Sequence, residues 1–153
     1  MSEASYAEIS ALELASGDAY RLLTSIVAPR PIAWVSSLSS EGHPNLAPFS
    51  YYQALCSRPP MITLGIAHQG NGHAKDTLRN ILGSREFVVN HVGQEQLEKM
   101  QQTSANYAPN VSEWERAGVD PAPSLCVKAA RVADSRAVLE CGLSHAIPLG
   151  ESR

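Results

Sequence analysis

The sequence predicts a mainly β protein with short helices, in which the strands form a small barrel decorated by the helices. Three observations predict this class. Five or six segments carry the β-branched, aromatic or alternating patterns of strands. The segments between them are short, and some have helical spacing with capping residues. No regular alternation of strands and helices, repeat or linker divides the chain, so one domain over residues 1–153 is expected.

The first half of the chain predicts three strands that form a meander, over residues 32–38, 44–55 and 61–67. Turn residues at 39–42 join the first strand to the second as a hairpin. Pro48 cannot donate a backbone hydrogen bond, so the second strand must be an edge strand or carry a bulge there. Before these strands, residues 16–18 predict a turn that leads into a short helix over 19–24.

The second half predicts alternating short helices and strands. Leu78, Ile81 and Leu82 have the spacing of an amphipathic helix, with Asp76 as its cap and Gly83 at its end. The later elements are a strand over 86–92, helices over 94–103 and 112–117, and strands over 124–132 and 137–147.

Composition excludes several function classes. A net charge of -3 with 12 Lys and Arg gives no basic surface for nucleic acid. The N-terminus lacks the charged and apolar regions of a signal peptide, and no apolar run is long enough for a membrane span, so we expect a cytoplasmic protein. The three cysteines and five histidines show no metal-binding spacing, and no metal site is expected.

One candidate binding segment is residues 45–50, where small residues and Pro48 interrupt a strand. An irregular strand exposes backbone N–H and C=O groups that a ligand can satisfy. Asn45 and Ser50 add polar side chains beside them. The segment therefore suits a planar heterocycle with a polar edge.

A second candidate is Lys75-Asp76-Thr77, at a predicted helix start that follows a glycine-bearing loop. Unpaired backbone N–H groups and the positive end of the helix dipole favour an anion there. Lys75 adds a positive charge and Thr77 a hydroxyl donor. The natural candidate is a phosphate monoester.

Each segment taken alone has an ordinary structural interpretation. Lys-Asp-Thr opens helices in many proteins that bind nothing, and residues 45–50 also fit a simple edge-strand bulge. Ser36 and Ser37 are equally explained as hydrogen-bonded strand residues, and Phe49 as a core residue.

Several motifs together give a more specific indication. Residues 29–39 and 44–52 resemble the signature of the flavin reductase-like, FMN-binding split-barrel family. Residues 75–81 and 86–90 continue the match in the family's order and spacing. The resemblance extends from about residue 20 to residue 149, nearly the whole chain.

The resemblance implies a bound FMN. Its phosphate is expected near Ser36, Ser37, Lys75 and Thr77, with Asp76 between the last two. Its isoalloxazine ring is expected along Asn45, Ala47, Pro48, Phe49 and Ser50, where it meets mainly backbone amides, with Asn90 nearby. The resemblance also implies a homodimer and transient use of NADH or NADPH as electron donor.

One departure from the family pattern concerns the end of the chain. Family members normally continue past residues 147–150 into strands that complete the barrel, so we expect the C-terminal strands to be lacking here. The leading hypothesis is an NAD(P)H-dependent flavin reductase that supplies reduced flavin to an oxygenase or another acceptor. The alternatives are a flavin-binding or electron-transfer protein without reductase turnover, and a family member that binds no flavin. No catalytic side chain is identified, because the cofactor carries the chemistry.

Overall fold

The computed structural model describes residues 7–69, 72–107 and 111–149. Its helices are α1 (Ser16–Ile26), α2 (Asp76–Ser84), α3 (Leu97–Gln102) and α4 (Glu113–Arg116), with a 3-10 turn at Gln94–Gln96 before α3. Its strands are β1 (Ala33–Leu38), β2 (Pro44–Phe49), β3 (Tyr52–Ser57), β4 (Pro60–Leu64), β5 (Glu86–Asn90), β6 (Pro121–Ala122), β7 (Arg131–Val132) and β8 (Val138–Gly142). The predicted fold class, a mainly β protein with short helices, is therefore confirmed.

The main sheet has four strands in the order β2-β1-β5-β8, and every neighbouring pair is antiparallel. The β1–β2 pair is a hairpin, as predicted, and Gly42 takes the positive φ of 85° in its turn. β2 lies at one edge of the sheet, which is where Pro48 is tolerated.

Two layers of apolar side chains cover the two faces of this sheet. Directly opposed residues in an antiparallel pair share a face, so Ala33, Val35 and their β2 partners Phe49 and Ala47 lie together. Ile81 of α2 packs on this face. The other face carries Trp34 and Leu46, which pack against Trp114 and Val132.

The predicted meander is wrong. Residues 44–55 do not form one strand, because the chain bends at Ser50 and Tyr51 and leaves the main sheet. The second part, β3, pairs instead with β4 in a separate two-stranded sheet. The local sequence did not reveal this change of sheet, since strand-like residues on both sides of Ser50 are equally compatible with one long strand or two short ones.

Both predicted starts of the first two helices need correction. Residues 16–18 form the first turn of α1 rather than a separate turn, since a helix start tolerates Gly17 and favours the negative charge of Asp18. At α2 the N-cap is Lys75, and Asp76 is the first helical residue. Gly83 lies inside α2, which ends at Arg85 in the left-handed conformation with φ 64°.

The strands predicted over 124–132 and 137–147 are shorter than expected, at β7 and β8. Residues 124–130 form a loop whose backbone N–H groups meet carboxylates instead of a strand. Leu125 N donates to Glu140 Oε1 at 2.9 Å, and Lys128 N donates to Glu86 Oε1 at 2.7 Å. In the described part of the chain, no helix has the length and apolar character needed to cross a membrane.

Candidate functional site

A cavity of about 110 Å³ lies where β2, the start of α2 and the start of α4 meet. Five residues predicted for the binding site line it: Asn45, Ala47, Lys75, Asp76 and Thr77. The remaining lining consists of Gln69, Glu113 and residues 103–107, which follow α3. The two candidate segments, far apart in sequence, therefore meet in one place.

A hydrogen bond joins the two segments. Asn45 Nδ2 donates to Thr77 Oγ1 at 2.8 Å, and both side chains are buried. Because this bond uses Thr77 Oγ1 as the acceptor, the hydroxyl proton is still available to a ligand. Among the described residues, no acceptor takes that proton.

The start of α2 has the properties of an anion site. Lys75 is the N-cap, and its side chain makes no capping hydrogen bond to the first-turn N–H groups. Lys75 Nζ lies 5.5 Å from the centre of the Phe49 ring, and no carboxylate in the described ranges forms an ion pair with it. Asp76 pairs with Arg79 on the same helix, which offsets its negative charge. An anion at this helix start would meet one uncompensated ammonium group.

The structure does not bring Ser36 and Asn90 to this cavity. Both lie on the Trp34 face of the sheet, opposite to the face that α2 covers. Ser36 Oγ donates to Ala130 O at 2.6 Å, and Asn90 Nδ2 donates to Ser36 Oγ at 3.1 Å. With exposures of 1% and 0%, these side chains are engaged inside the protein.

Ser37 lies on the correct face but beneath α2. It is 2% exposed, and its Oγ accepts a hydrogen bond from Asn80 Nδ2 at 3.1 Å. This hydrogen bond joins α2 to β1, and Ser37 is not part of the cavity lining.

The second half of the β2 segment lies beside the cavity rather than in its lining. Phe49 is buried in the core beneath Lys75, and Pro48 is half-buried at the sheet edge. Ser50 Oγ accepts a bond from Arg30 Nε at 3.4 Å, and Arg30 also binds the carbonyl oxygens of Thr24 and Val27 near the end of α1.

Sequence reasoning missed the wall formed by residues 103–107 and Glu113. Glu113 was visible only as part of a helix start after Ser112, a local signal that gives no position relative to β2. Burial raises the pKa of Glu113, and the nearby Asp76 carboxylate raises it further. Hydrogen bonding from the backbone N–H groups of Glu113 and Leu46 partly offsets this rise.

The site offers binding groups rather than a nucleophile. Burial raises the pKa of the Cys141 thiol from 9.0 to about 11, so the thiol stays protonated at neutral pH. Cys56 and Cys126 are exposed and line neither wall of the cavity. In the ranges that the structure covers, no group of three or more His, Cys, Asp or Glu residues could hold a metal ion.

The family model of the flavin reductase like domain matches residues 26–153. The chain belongs to the flavin reductase-like family. Two curated proteins with similar sequences are an uncharacterized protein from Aquifex aeolicus, 39% identical over 130 residues, and the uncharacterized protein YwrF of Bacillus subtilis, 39% identical over 136 residues. The aligned parts are 85% and 88% of this chain but 66% and 65% of the relatives. The chain thus spans just under two thirds of their length.

Flavin reductase-like proteins of known structure share the fold. Component B of nitrilotriacetate monooxygenase from Bacillus cereus matches with a TM-score of 0.91 and 36% identity, covering 97% of this chain and 74% of its own. The 2-nitrobenzoate 2-nitroreductase NbaA of Pseudomonas fluorescens matches with a TM-score of 0.85 and 34% identity, and the match covers 95% of this chain and 70% of NbaA. A split-barrel protein of Shewanella frigidimarina matches with a TM-score of 0.78 and 25% identity, and the match covers 90% of this chain and 67% of the Shewanella protein. The predicted family and the split-barrel fold class are confirmed.

Proposed function

We propose that this chain binds FMN and acts as an NAD(P)H-dependent flavin oxidoreductase. The observation that carries the proposal is the meeting of Lys75, the uncapped start of α2 and the Thr77 hydroxyl in one cavity. These groups provide a positive charge, backbone donors and a hydroxyl donor, which is the chemistry that a phosphate monoester needs. Membership of the flavin reductase-like family supports flavin as the molecule that carries this phosphate.

The size of the cavity limits which part of FMN it holds. A cavity of about 110 Å³ is well below the roughly 300–1,000 Å³ of sites that enclose a whole small molecule. We therefore place the phosphate and the adjoining ribityl chain inside and the isoalloxazine ring outside, along residues 45–50 of β2. Ser36, Ser37 and Asn90 support the sheet and α2 in this proposal and do not contact the flavin.

The chain's own residues bind and orient. Lys75 and Thr77 hold the phosphate, Asn45 orients the Thr77 hydroxyl, and Phe49 packs beneath Lys75. When bound, FMN would supply the redox chemistry between NADH or NADPH and an electron acceptor. Binding by the protein and redox chemistry by the cofactor are consistent with a site that has binding groups and no activated nucleophile.

The relatives' names support two kinds of acceptor. One structural neighbour is component B of a monooxygenase, which supports an oxygenase partner that receives reduced flavin. Another is a nitroreductase, which supports direct reduction of a small acceptor at the site.

We also propose a homodimer, because α1 leaves Tyr20, Leu23 and Ile26 more than half exposed and β3 leaves Leu55 63% exposed.

A flavin titration followed by a turnover assay tests the proposal. Purified protein should bind FMN, observed as quenching of flavin fluorescence, and should then oxidise NADH or NADPH at a rate that depends on added FMN. Binding without turnover, in aerobic and anaerobic buffers alike, would identify the non-reductase alternative. Absence of both FMN and riboflavin binding would contradict the whole proposal.

A further inference from the structure

Glu113 faces the phosphate-binding groups from the opposite wall of the cavity. It is the first residue of α4, which packs against the edge strand β2. Its carboxylate lines the same cavity as Asn45 and Thr77 and lies close to the Leu46 backbone N–H. Because the side chain is half-buried, it loses part of its contact with bulk water, which favours hydrogen-bonding partners within the cavity.

The carboxylate has unmet capacity to accept hydrogen bonds. An ionised carboxylate offers about four lone-pair positions, and among the described residues the donors identified for it are the backbone N–H groups of Glu113 and Leu46. Among the charged and titratable groups around it, Asp76 of α2 raises the pKa of Glu113 and is itself paired with Arg79. Lys75 and Tyr107 line the same cavity, while Glu115 and Arg116 on α4 are exposed.

The hydroxyl groups of the neighbouring wall are already used. Thr103 Oγ1 donates to Met100 O at 2.7 Å, Ser104 Oγ to Gln101 O at 2.6 Å, and Tyr107 Oη to Gln102 O at 3.0 Å. These residues therefore do not donate to Glu113. Gln69, Lys75 and Asn106 also line the cavity with donor groups, but none of them forms a hydrogen bond or ion pair with Glu113 in the described part of the chain. A bound molecule or water would therefore supply the remaining donors.

We propose that Glu113 accepts hydrogen bonds from the hydroxyl groups of the ligand's polyol chain, so that the cavity selects a phosphorylated polyol. This inference rests on the proposed function, in which the polyol is the ribityl chain of FMN. The two walls then have distinct tasks. Lys75 and Thr77 bind the phosphate, whereas Glu113 binds neutral donors, since a phosphate placed directly against its carboxylate would be repelled.

The experiment compares ligands that contain different parts of FMN. Dissociation constants for FMN, riboflavin, ribitol 5-phosphate and inorganic phosphate are measured by calorimetry for the wild type, Glu113→Ala and Glu113→Gln. Glu115→Ala is the matched control, because Glu115 is an exposed carboxylate on the same helix. Circular dichroism and urea unfolding check that each variant is folded.

We expect Glu113→Ala to weaken FMN, riboflavin and ribitol 5-phosphate by about tenfold, the loss expected for charge-assisted hydrogen bonds. Glu113→Gln should lose less, because it keeps a neutral acceptor. Inorganic phosphate should bind to Glu113→Ala at least as tightly as it binds to the wild type.

Unchanged or tighter binding of ribitol 5-phosphate by Glu113→Ala would overturn the inference. So would a wild type that binds ribitol 5-phosphate no better than inorganic phosphate. If only the two flavins fail to bind, the flavin proposal is wrong, while a Glu113-dependent preference for ribitol 5-phosphate still supports the polyol wall.

Discussion

Asn90 connects three strands of the protein through one buried amide. Its Nδ2 donates to Trp34 O at 3.0 Å in β1 and to Ser36 Oγ at 3.1 Å. Its Oδ1 accepts from Val132 N at 2.8 Å in β7. Since the side chain is 0% exposed, each of these groups would lack water as a replacement partner. Asn90 therefore stabilises the sheet that carries the site without touching the cavity.

Asn90→Ala should lower the free energy of unfolding by about 3 kcal/mol, because it leaves buried polar groups unsatisfied and opens a small cavity. Urea unfolding followed by circular dichroism measures this loss. The control is Gln102→Ala, since Gln102 is an exposed amide outside the cavity lining and should change stability by less than about 0.5 kcal/mol. A variant of unchanged stability that has lost FMN binding would instead give Asn90 the ligand-contacting role that the sequence resemblance implied.

Residue types at the site were more predictable than their directions. Lys75 and Thr77 were identified because a cation and a hydroxyl at a helix start have a direct physical meaning. Ser36 and Ser37 could not both face the phosphate, because consecutive strand residues point to opposite faces of a sheet. Whether Ser36 or Ser37 lies on the side of the sheet that α2 covers depends on the register Ser37↔Asn45 and on the packing of Asn80. Neither of these can be read from the local sequence.

At the scale of single elements, α2 was predictable in position but not in its ends. The spacing of Leu78 and Ile81 predicts a helix, and Ile81 is buried against the sheet as expected. The helix continues through the exposed Gly83, since the helix-ending preference of glycine is weak. Its left-handed end at Arg85 has no sequence signal, since glycine is the usual residue there.

Lys75→Ala combined with Thr77→Ala should weaken FMN by about thirtyfold, corresponding to about 2 kcal/mol for lost contacts to a charged phosphate. Riboflavin, which has no phosphate, should lose much less affinity. Fluorescence titrations with both flavins measure the difference. Arg58→Ala serves as control, because it removes an exposed cation that lies outside the cavity lining and forms no ion pair with a cavity residue. Equal losses for the two flavins would show that the start of α2 is not the phosphate site.

At the scale of the whole molecule, the mainly β class was predictable and the arrangement of the sheets was not. Strand composition fixes neither which strands pair nor where the chain changes sheet, as the bend at Ser50 and Tyr51 shows. The loop over 124–130 was mistaken for a strand because its alternating residues fit one. In the structure its backbone donors bind Glu140 and Glu86 carboxylates from β8 and β5, which are long-range partners.

Glu140 makes the stability of the molecule depend on pH through that loop. Hydrogen bonds from the backbone N–H groups of Leu125 and Cys126 hold the pKa of Glu140 below its ordinary value of 4.5. A lowered folded-state pKa contributes stability above the unfolded pKa, and this stability is lost as the pH falls through the folded value. Glu140→Gln, which keeps an oxygen acceptor but loses the charge, should therefore unfold at lower urea concentration at pH 7.

The difference from the wild type should shrink as the pH falls below 4.5 and disappear once Glu140 is protonated in both states. Urea midpoints measured between neutral and acid pH give this profile. Glu98→Gln is the matched control, because Glu98 is an exposed carboxylate on α3 and should shift the midpoint little at any pH. A Glu140→Gln deficit that stays constant with pH would mean that the side chain's shape, rather than its charge, holds the loop against β8. In that case the loop would be stabilised by packing, and the backbone donors of Leu125 and Cys126 would contribute little to folding.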